Sequence, residues 1–325
     1  MTMYKSTGSA GQAAGLDQAG PETSGPVPAS AAADLGGAPE AATAQAGELS
    51  ERSIGDIIAE VRNLSAEQVQ RVLALQQQKG LRFGEAAVEL GLATRDDVLQ
   101  ALAQQFHYPY AGAGADAVGA ELVTLHEPFG ERAEAFRALR SQLMMRVFGI
   151  VPKQALAVIS ADVGDGKTYT TANLGVALAQ LGSRTLIVDA DMRSPRMHEV
   201  FGVSNRAGLS GILSGRMVSK VIQQVNGVPS LYVLPVGAIP PNPLELIERP
   251  AFGLLLKELS NKFDHLLVDT PAVSVGSDAG VVASRCGQAL IVARLHQSRV
   301  RDLQRMLAGL AGSPAQIAGV VANAY

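Results

Sequence analysis

The run Ser160-Ala161-Asp162-Val163-Gly164-Asp165-Gly166-Lys167-Thr168 sets two glycines, a lysine and a hydroxyl in the order a phosphate-binding loop requires. Gly164 and Gly166 let backbone N–H groups approach phosphate oxygens closely. The expected nucleotide contacts are Asp162, Val163, Gly164, Asp165, Gly166, Lys167, Thr168 and Tyr169, although Tyr169, beside the loop, reads first as a structural residue. Lys167 would neutralise the β- and γ-phosphates, and the Thr168 hydroxyl would coordinate Mg²⁺. Ala161 replaces the first glycine of the general motif. Downstream, Asp189 and Asp191 stand two residues apart, where an extended chain turns both carboxylates to one side. Asp269, in Val268-Asp269-Thr270-Pro271, is placed to hold Mg²⁺ through water. The chemistry of such a set is phosphoryl transfer from MgATP, with Lys167, Asp189, Asp191 and Asp269 as catalytic candidates and Thr168, Asp189 and Asp269 as metal candidates.

These residues need a scaffold that delivers them to one place. Ala155 to Ser160 is a short apolar run of strand length ahead of the loop. After Lys167, the residues Leu174, Ala177, Leu178 and Leu181 recur at helical spacing. Strand, loop and helix in that order give the motif its physical context. The aspartates each end an apolar run, Thr185 to Val188 and His265 to Val268. Further strands are expected at Leu231 to Leu234, Gln288 to Ala293 and Ile317 to Val321, with helices around Phe252 to Leu259 and Val300 to Leu310. This alternation predicts an α/β fold, a P-loop NTPase with a mostly parallel sheet covered by helices on both faces. Ligands of such sheets bind at the carboxyl ends of the strands.

The chain has 325 residues, 47% apolar and 18% charged, with a net charge of −3. That balance argues against nucleic acid as a partner. The single cysteine, Cys286, forms no internal disulfide and no metal cluster. No apolar run approaches the roughly 18–20 residues that span a bilayer, so a cytoplasmic chain without its own transmembrane segment is expected. Residues 1–47, rich in Ala, Gly, Pro, Ser and Thr, predict a disordered tail. Residues 48–110 predict a small all-α domain, because Ile54, Ile57, Ile58 and Val61 fall at helical spacing, as do Val69, Val72 and Leu73. The domain contains a repeat, one unit opening at Ser53-Ile54-Gly55-Asp56 and the other at Arg82-Phe83-Gly84-Glu85. Each unit predicts a helix pair, the second helices ending at Gln76 and Gln105, and such pairs must stack to hide their apolar faces. Residues 111–124 have linker composition, and 125–325 form the nucleotide domain.

The helical region resembles the N-terminal domain of type II secretion and pilus assembly ATPases, on Arg82, Gly84, Gly91, Leu92, Val98, Leu102 and Gln105. That resemblance implies cyclic di-GMP as a ligand, with Arg82 as a contact. In the first unit Ser53 replaces the arginine and Arg62 the glycine. A protein-docking module without nucleotide is the alternative reading.

Residues 125–325 resemble the bacterial tyrosine kinases of exopolysaccharide synthesis. The resemblance rests on the phosphate loop, on Asp189-Ala190-Asp191-Met192-Arg193-Ser194-Pro195 and on Leu267-Val268-Asp269-Thr270-Pro271. Gly208 to Gly215 and Pro240-Pro241-Asn242-Pro243 reinforce it. Together with the helical region, the chain looks like the EpsG-type chain-length-determinant kinases. Partition and division-site proteins share the fold but bear a lysine where Asp162 stands. The resemblance implies ATP-dependent tyrosine (auto)phosphorylation regulating polysaccharide chain length and export, with ATP and Mg²⁺ as cofactors. It also implies a membrane chain-length-determinant protein as activator and recruiter, and a homo-oligomeric ring. Glu134, Arg137 and Arg140 match the family's oligomerisation motif, on a helix whose apolar stripe is Phe136, Leu139 and Leu143. Asp189 or Asp191 would orient or deprotonate the acceptor hydroxyl. The family's C-terminal tyrosine cluster is absent, which leaves Tyr325 as the one terminal acceptor candidate. An ATP-driven assembly switch that does not phosphorylate tyrosine is the competing reading.

Overall fold

The computed structural model describes residues 3–4, 53–106, 119–149, 151–216 and 219–324. The tail expected over 1–47 (apart from Met3 and Tyr4), most of the linker and Tyr325 lie outside the described residues.

Four helices make up the N-terminal unit: α1 (Ile54–Val61), α2 (Ala66–Lys79), α3 (Phe83–Glu89) and α4 (Arg95–Gln105). Capping boxes start three of them, with Ser53 and Asp56, Ser65 and Gln68, and Thr94 and Asp97 exchanging bonds with each other's backbone. The two predicted helix pairs are both present. α2 runs past Gln76 to Lys79 and stops at Gly80, which adopts the left-handed conformation. The pairs interlock, α1 against α4 and α2 against α3, around Ile57, Ile58, Val72, Ala86, Ala87 and Ala101. Arg62, where the resemblance expects glycine, donates to the Asp97 carboxylate at 2.6 Å and so ties the first unit to the start of α4.

The larger unit centres on an eight-stranded sheet. Its elements are β1 (Met3–Tyr4), α5 (Val123–His126), α6 (Glu131–Leu143), β2 (Ala155–Ile159), α7 (Lys167–Ala179), β3 (Thr185–Asp189), α8 (Met197–Val200) and α9 (Leu209–Leu213). They continue as β4 (Gln223–Val225), β5 (Val228–Leu234), α10 (Pro243–Glu248), α11 (Pro250–Lys262), β6 (His265–Asp269), α12 (Asp278–Cys286), β7 (Gly287–Arg294), α13 (Val300–Leu310) and β8 (Gln316–Asn323). The strand order is β1-β8-β7-β2-β6-β3-β5-β4. Among the described residues only the edge pairs β1–β8 and β4–β5 are antiparallel, so the mostly parallel sheet expected from the β/α alternation is present.

Every residue of β2, β3 and β6 is buried, as a sheet covered on both faces demands. Alternate side chains feed two cores. Ala155, Ala157, Ile159, Leu186, Val188, Leu266 and Val268 join α10, α11, α12 and α13 on one face. Leu156, Ile187 and Leu267 join α5, α6 and α7 on the other. The packed region begins upstream of the boundary expected at residue 125. Leu122, Val123 and Leu125 are buried, and the Gly119 N–H bonds to the Val200 carbonyl at 2.8 Å. The small residues that read as linker end earlier than composition suggests, because this stretch closes the α7 face of the core.

Candidate nucleotide site

β2, β3 and β6 are neighbours at the centre of the sheet, and all three end at the same edge. The register pairs Asp189 directly with Asp269, so two carboxylates lie one strand spacing apart, roughly 5 Å between backbones. Both are buried. The phosphate loop leaves β2 beside them and enters α7 at Lys167. Gly166 caps that helix with φ 96°, a conformation that penalises any side chain. It also lies against Asn323, whose amide nitrogen occupies the place a Cβ would need.

Lys167 donates to the Ser160 hydroxyl at 3.1 Å, and that hydroxyl donates to the Asp162 carbonyl at 2.7 Å. Thr168 donates to Asp269 Oδ2 at 2.7 Å, and Thr171 donates to Oδ1 at 3.3 Å. Burial, with repulsion from Asp191 added, raises Asp269 to about 6, against the pull of Thr168 and Lys167. Asp189 is driven well above the usual carboxylate range by burial first and by Asp269 second. Its Oδ1 accepts the Asp191 N–H at 3.1 Å and its Oδ2 accepts the Met197 N–H at 3.2 Å. Asp191 is half-buried and shapes the next turn, its Oδ1 accepting from the N–H groups of Arg193 and Ser194. Arg193 in turn grips Asp278 at 3.0 Å.

Mutually repelling buried carboxylates, faced by Lys167, make a place where a divalent cation relieves a real electrostatic cost. Thr168 and Asp269 are already in contact, as a hydroxyl ligand and its supporting carboxylate must be. Among the described residues no closed cage of three or more His, Cys, Asp or Glu encloses a metal position. Mg²⁺ characteristically takes few protein ligands and completes its shell with phosphate oxygens and water.

Lys167, Thr168, Asp189, Asp191 and Asp269 therefore converge. The Tyr169 ring does not join them. It turns to Phe136, with ring centroids 5.7 Å apart, and packs α7 on α6. Glu134, Arg137 and Arg140 lie on α6. Arg137 bonds Glu134 and the Pro128 carbonyl, and Arg140 donates to the Ala177 carbonyl near the end of α7 at 2.7 Å. Arg82 is exposed in the separate helical unit.

The structure adds residues that motif reading passed over. The Asp165 carboxylate accepts the Asp162 N–H at 3.0 Å and the Ser298 hydroxyl at 2.6 Å. Asn323 donates to the Asp165 carbonyl at 3.1 Å. Ser298 and Asn323 follow or end the strands β7 and β8, far along the chain from the loop they hold. No local spacing announces them, although each follows an apolar strand at the edge where ligands bind.

Comparison with known proteins agrees with this geometry. The CobQ/CobB/MinD/ParA nucleotide binding domain matches residues 156–325, more than half of the chain and all three motifs. Over 197 residues the chain is 31% identical to a Staphylococcus aureus protein named putative tyrosine-protein kinase CapB, covering 61% of this chain and 86% of that one. The chain belongs to the bacterial tyrosine kinase family. A second member, tyrosine-protein kinase wzc of Salmonella typhimurium, is 30% identical over 203 residues. That match covers 62% of this chain but 28% of the relative, so the chain spans little more than a quarter of that protein. Among solved structures, the kinase domain of Escherichia coli tyrosine kinase ETK superposes with a TM-score of 0.59 at 32% identity, over 62% of this chain and 79% of that one. The family match begins at residue 156, downstream of the four-helix unit.

Proposed function

We propose that this chain is an ATP-dependent protein tyrosine kinase that regulates exopolysaccharide chain length, polymerisation and export. The observation that carries the reading is the Lys167, Thr168 and Asp269 cluster in register with Asp189, in a chain 31% identical to CapB over most of its length. The relatives' names favour phosphoryl transfer to tyrosine over a bare ATPase switch. Lys167 and the loop amides hold the phosphates, while Thr168, supported by Asp269, faces the cation. Mg²⁺, when bound, neutralises charge on the β- and γ-phosphate oxygens. The phenolic oxygen bonds to the γ-phosphorus as the bond to the β–γ bridging oxygen breaks, and ADP leaves with that electron pair. The phenolic proton passes to Asp191. Asp191 Oδ2 carries no backbone bond, whereas both oxygens of Asp189 accept backbone N–H groups that fix them in the turn.

Among the described residues no helix is long and apolar enough to cross a membrane. We place the chain in the cytoplasm, recruited to the membrane by a chain-length-determinant protein that activates it. Glu134, Arg137 and Arg140 serve a homo-oligomeric ring, with α6 as its contact. Tyr325 remains the terminal acceptor candidate; Tyr169 and Tyr232 pack against Phe136 and Phe263. For the helical unit a protein-docking module and a cyclic di-GMP site at Arg82 are the two readings, separated by calorimetry, where silence at high micromolar nucleotide rejects the second. The kinase reading is tested with radiolabelled ATP and Mg²⁺ together with the cytoplasmic segment of the activator. Phosphotyrosine in the hydrolysate, lost in Lys167→Ala, is expected. ATP hydrolysis with no phosphotyrosine would instead establish the switch.

A further inference from the structure

A cavity of about 310 Å³ opens beside the start of the phosphate loop, on the sheet face opposite α7. Ala161 and Asp162 form one wall, and the loop that follows Asp269 forms the next, through Val273 and Gly276. Met306 and Leu310 of α13 also line it, and both belong to the core. Gly276, Gly280 and Gly309 line it without side chains, which is why the space exists. Its volume sits at the small end of ligand pockets, which run from roughly 300 Å³ upward.

The wall at Gly276 is braced. A Cβ there would meet Asp278 Oδ2 at 2.6 Å and Arg193 Nη2 at 3.0 Å. Arg193 also leads out of the turn that Asp191 shapes. Arg193 therefore touches both, packing beside the cavity wall at Gly276 and donating its N–H to the proposed proton acceptor Asp191. Asp162, on the other wall, belongs to the loop that receives the transferred phosphate's donor.

The flank of the cavity is basic. From the end of β7 through α13 the chain carries Arg294, Arg299, Arg301 and Arg305 against one acid, Asp302. Asp302 and Arg305 pair at 3.3 Å on the cavity lining, while Arg299 and Arg301 are exposed. An apolar, ring-sized floor with a polar end at a phosphate loop suits a phenol, whose body is apolar and whose tip is not. An arginine-rich flank suits carboxylates on either side of it.

Resting on the kinase reading above, we propose that this cavity is the acceptor site, taking the side chain of a tyrosine set in an acidic peptide. The ring lies on Met306, Leu310 and Val273, and its hydroxyl faces the phosphate loop between Asp162 and Gly276. Oxygen, phosphorus and proton then exchange as already written, with the peptide supplying the phenol.

The test uses the full chain, MgATP and a random copolymer of glutamate and tyrosine as acceptor. Gly280→Leu and Gly309→Leu fill the cavity from two helices. A Cβ finds room at both positions, meeting nothing within 4 Å at Gly309 and only Leu310 Cδ2 at 3.9 Å at Gly280, and a thermal melt of each variant checks that the longer side chain is accommodated. Each should raise the KM for the copolymer about tenfold or more, while the KM for ATP moves by less than about twofold. Arg301→Glu combined with Arg305→Glu should move the copolymer KM in the same direction, and added salt should narrow that difference. An unchanged copolymer KM in both glycine variants overturns the proposal. So does a matching rise in the KM for ATP, which would make the cavity a nucleotide pocket. Loss of self-association by sedimentation in the same variants would make it a subunit contact and overturn it too. A wild type that autophosphorylates but ignores the copolymer rejects the acceptor site alone, whereas a wild type without any phosphotyrosine rejects the kinase reading beneath it.

Discussion

Asp189 and Asp269 are buried side by side because β3 and β6 are parallel and in register, and each carries its aspartate at the strand end. Burial lifts both above the usual carboxylate range, Asp269 to about 6. A folded-state value raised above the unfolded one stabilises the protein at low pH, and that contribution is lost as pH rises through the folded value. With chelator present and no nucleotide, these two carboxylates should therefore lower the melting temperature between pH 4 and pH 7. Asp264, held below the usual range by its hydrogen bond to Lys153, acts at lower pH. His265, which burial holds below the usual imidazole range, adds stability as pH rises inside this window, so the slope is read as the difference between wild type and Asp269→Asn. Asp269→Asn should flatten the slope and stabilise the metal-free protein at pH 8, by an amount on the order of 3 kcal/mol for a shift of about two units. The same variant should lose Mg²⁺-dependent phosphotransfer. Thermal melts across pH, read beside turnover, check both outcomes; a steeper slope in the variant would contradict the account.

At the scale of elements, the phosphate loop is held from outside as much as by its own glycines. Ser298 and Asn323 reach it from the ends of β7 and β8 and bond to both ends of Asp165. Ser298→Ala should raise the KM for ATP severalfold with a smaller fall in kcat, because the loop shape is needed for ground-state binding as well as transfer. Equal loss in kcat and kcat/KM would place Ser298 in the transition state instead. α6 is a second case. Phe136, Leu139 and Leu143 are buried against α7, so the stripe read from spacing is core rather than exposed contact. Phe136→Ala should cost about 3–5 kcal/mol in denaturant unfolding. The charges beside that stripe are divided: Glu134 stays mostly exposed while Arg137 is mostly covered.

At the scale of the whole molecule, self-association is the property that this division bears on. Glu134→Lys changes an exposed residue and should leave stability within about 0.5 kcal/mol. If α6 is the ring contact, the same change should dissociate the oligomer in sedimentation with MgATP and lower autophosphorylation in proportion. An oligomer that survives would move the contact elsewhere. The four-helix unit folds around its own core. Capping boxes start its helices and the Arg62–Asp97 pair joins its two helix pairs, and calorimetry decides between a docking module and a cyclic di-GMP site.

Local order carried much of this protein in plain view. The loop from Ser160 to Thr168, the strands ahead of it and after it, and the aspartates that end them are short-range patterns. A glycine-rich turn between a buried strand and a helix has few physical alternatives, and the α/β architecture follows from the alternation of periods. The helix repeat over 53–105 was legible for the same reason, through apolar spacing and the repeated unit starts at Ser53 and Arg82. Other features depended on strand order and register, which no window of sequence contains. Only the register set Asp189 against Asp269 and so made their charge a cost that a cation can relieve. Only the crossing of β7 and β8 beside β2 brought Ser298 and Asn323 to Asp165. Packing, rather than motif, turned the Tyr169 ring to Phe136 and pulled residues 119–124 into the core. Bonds between residues more than a hundred positions apart are set by which strands become neighbours, and the sheet decides that as a whole.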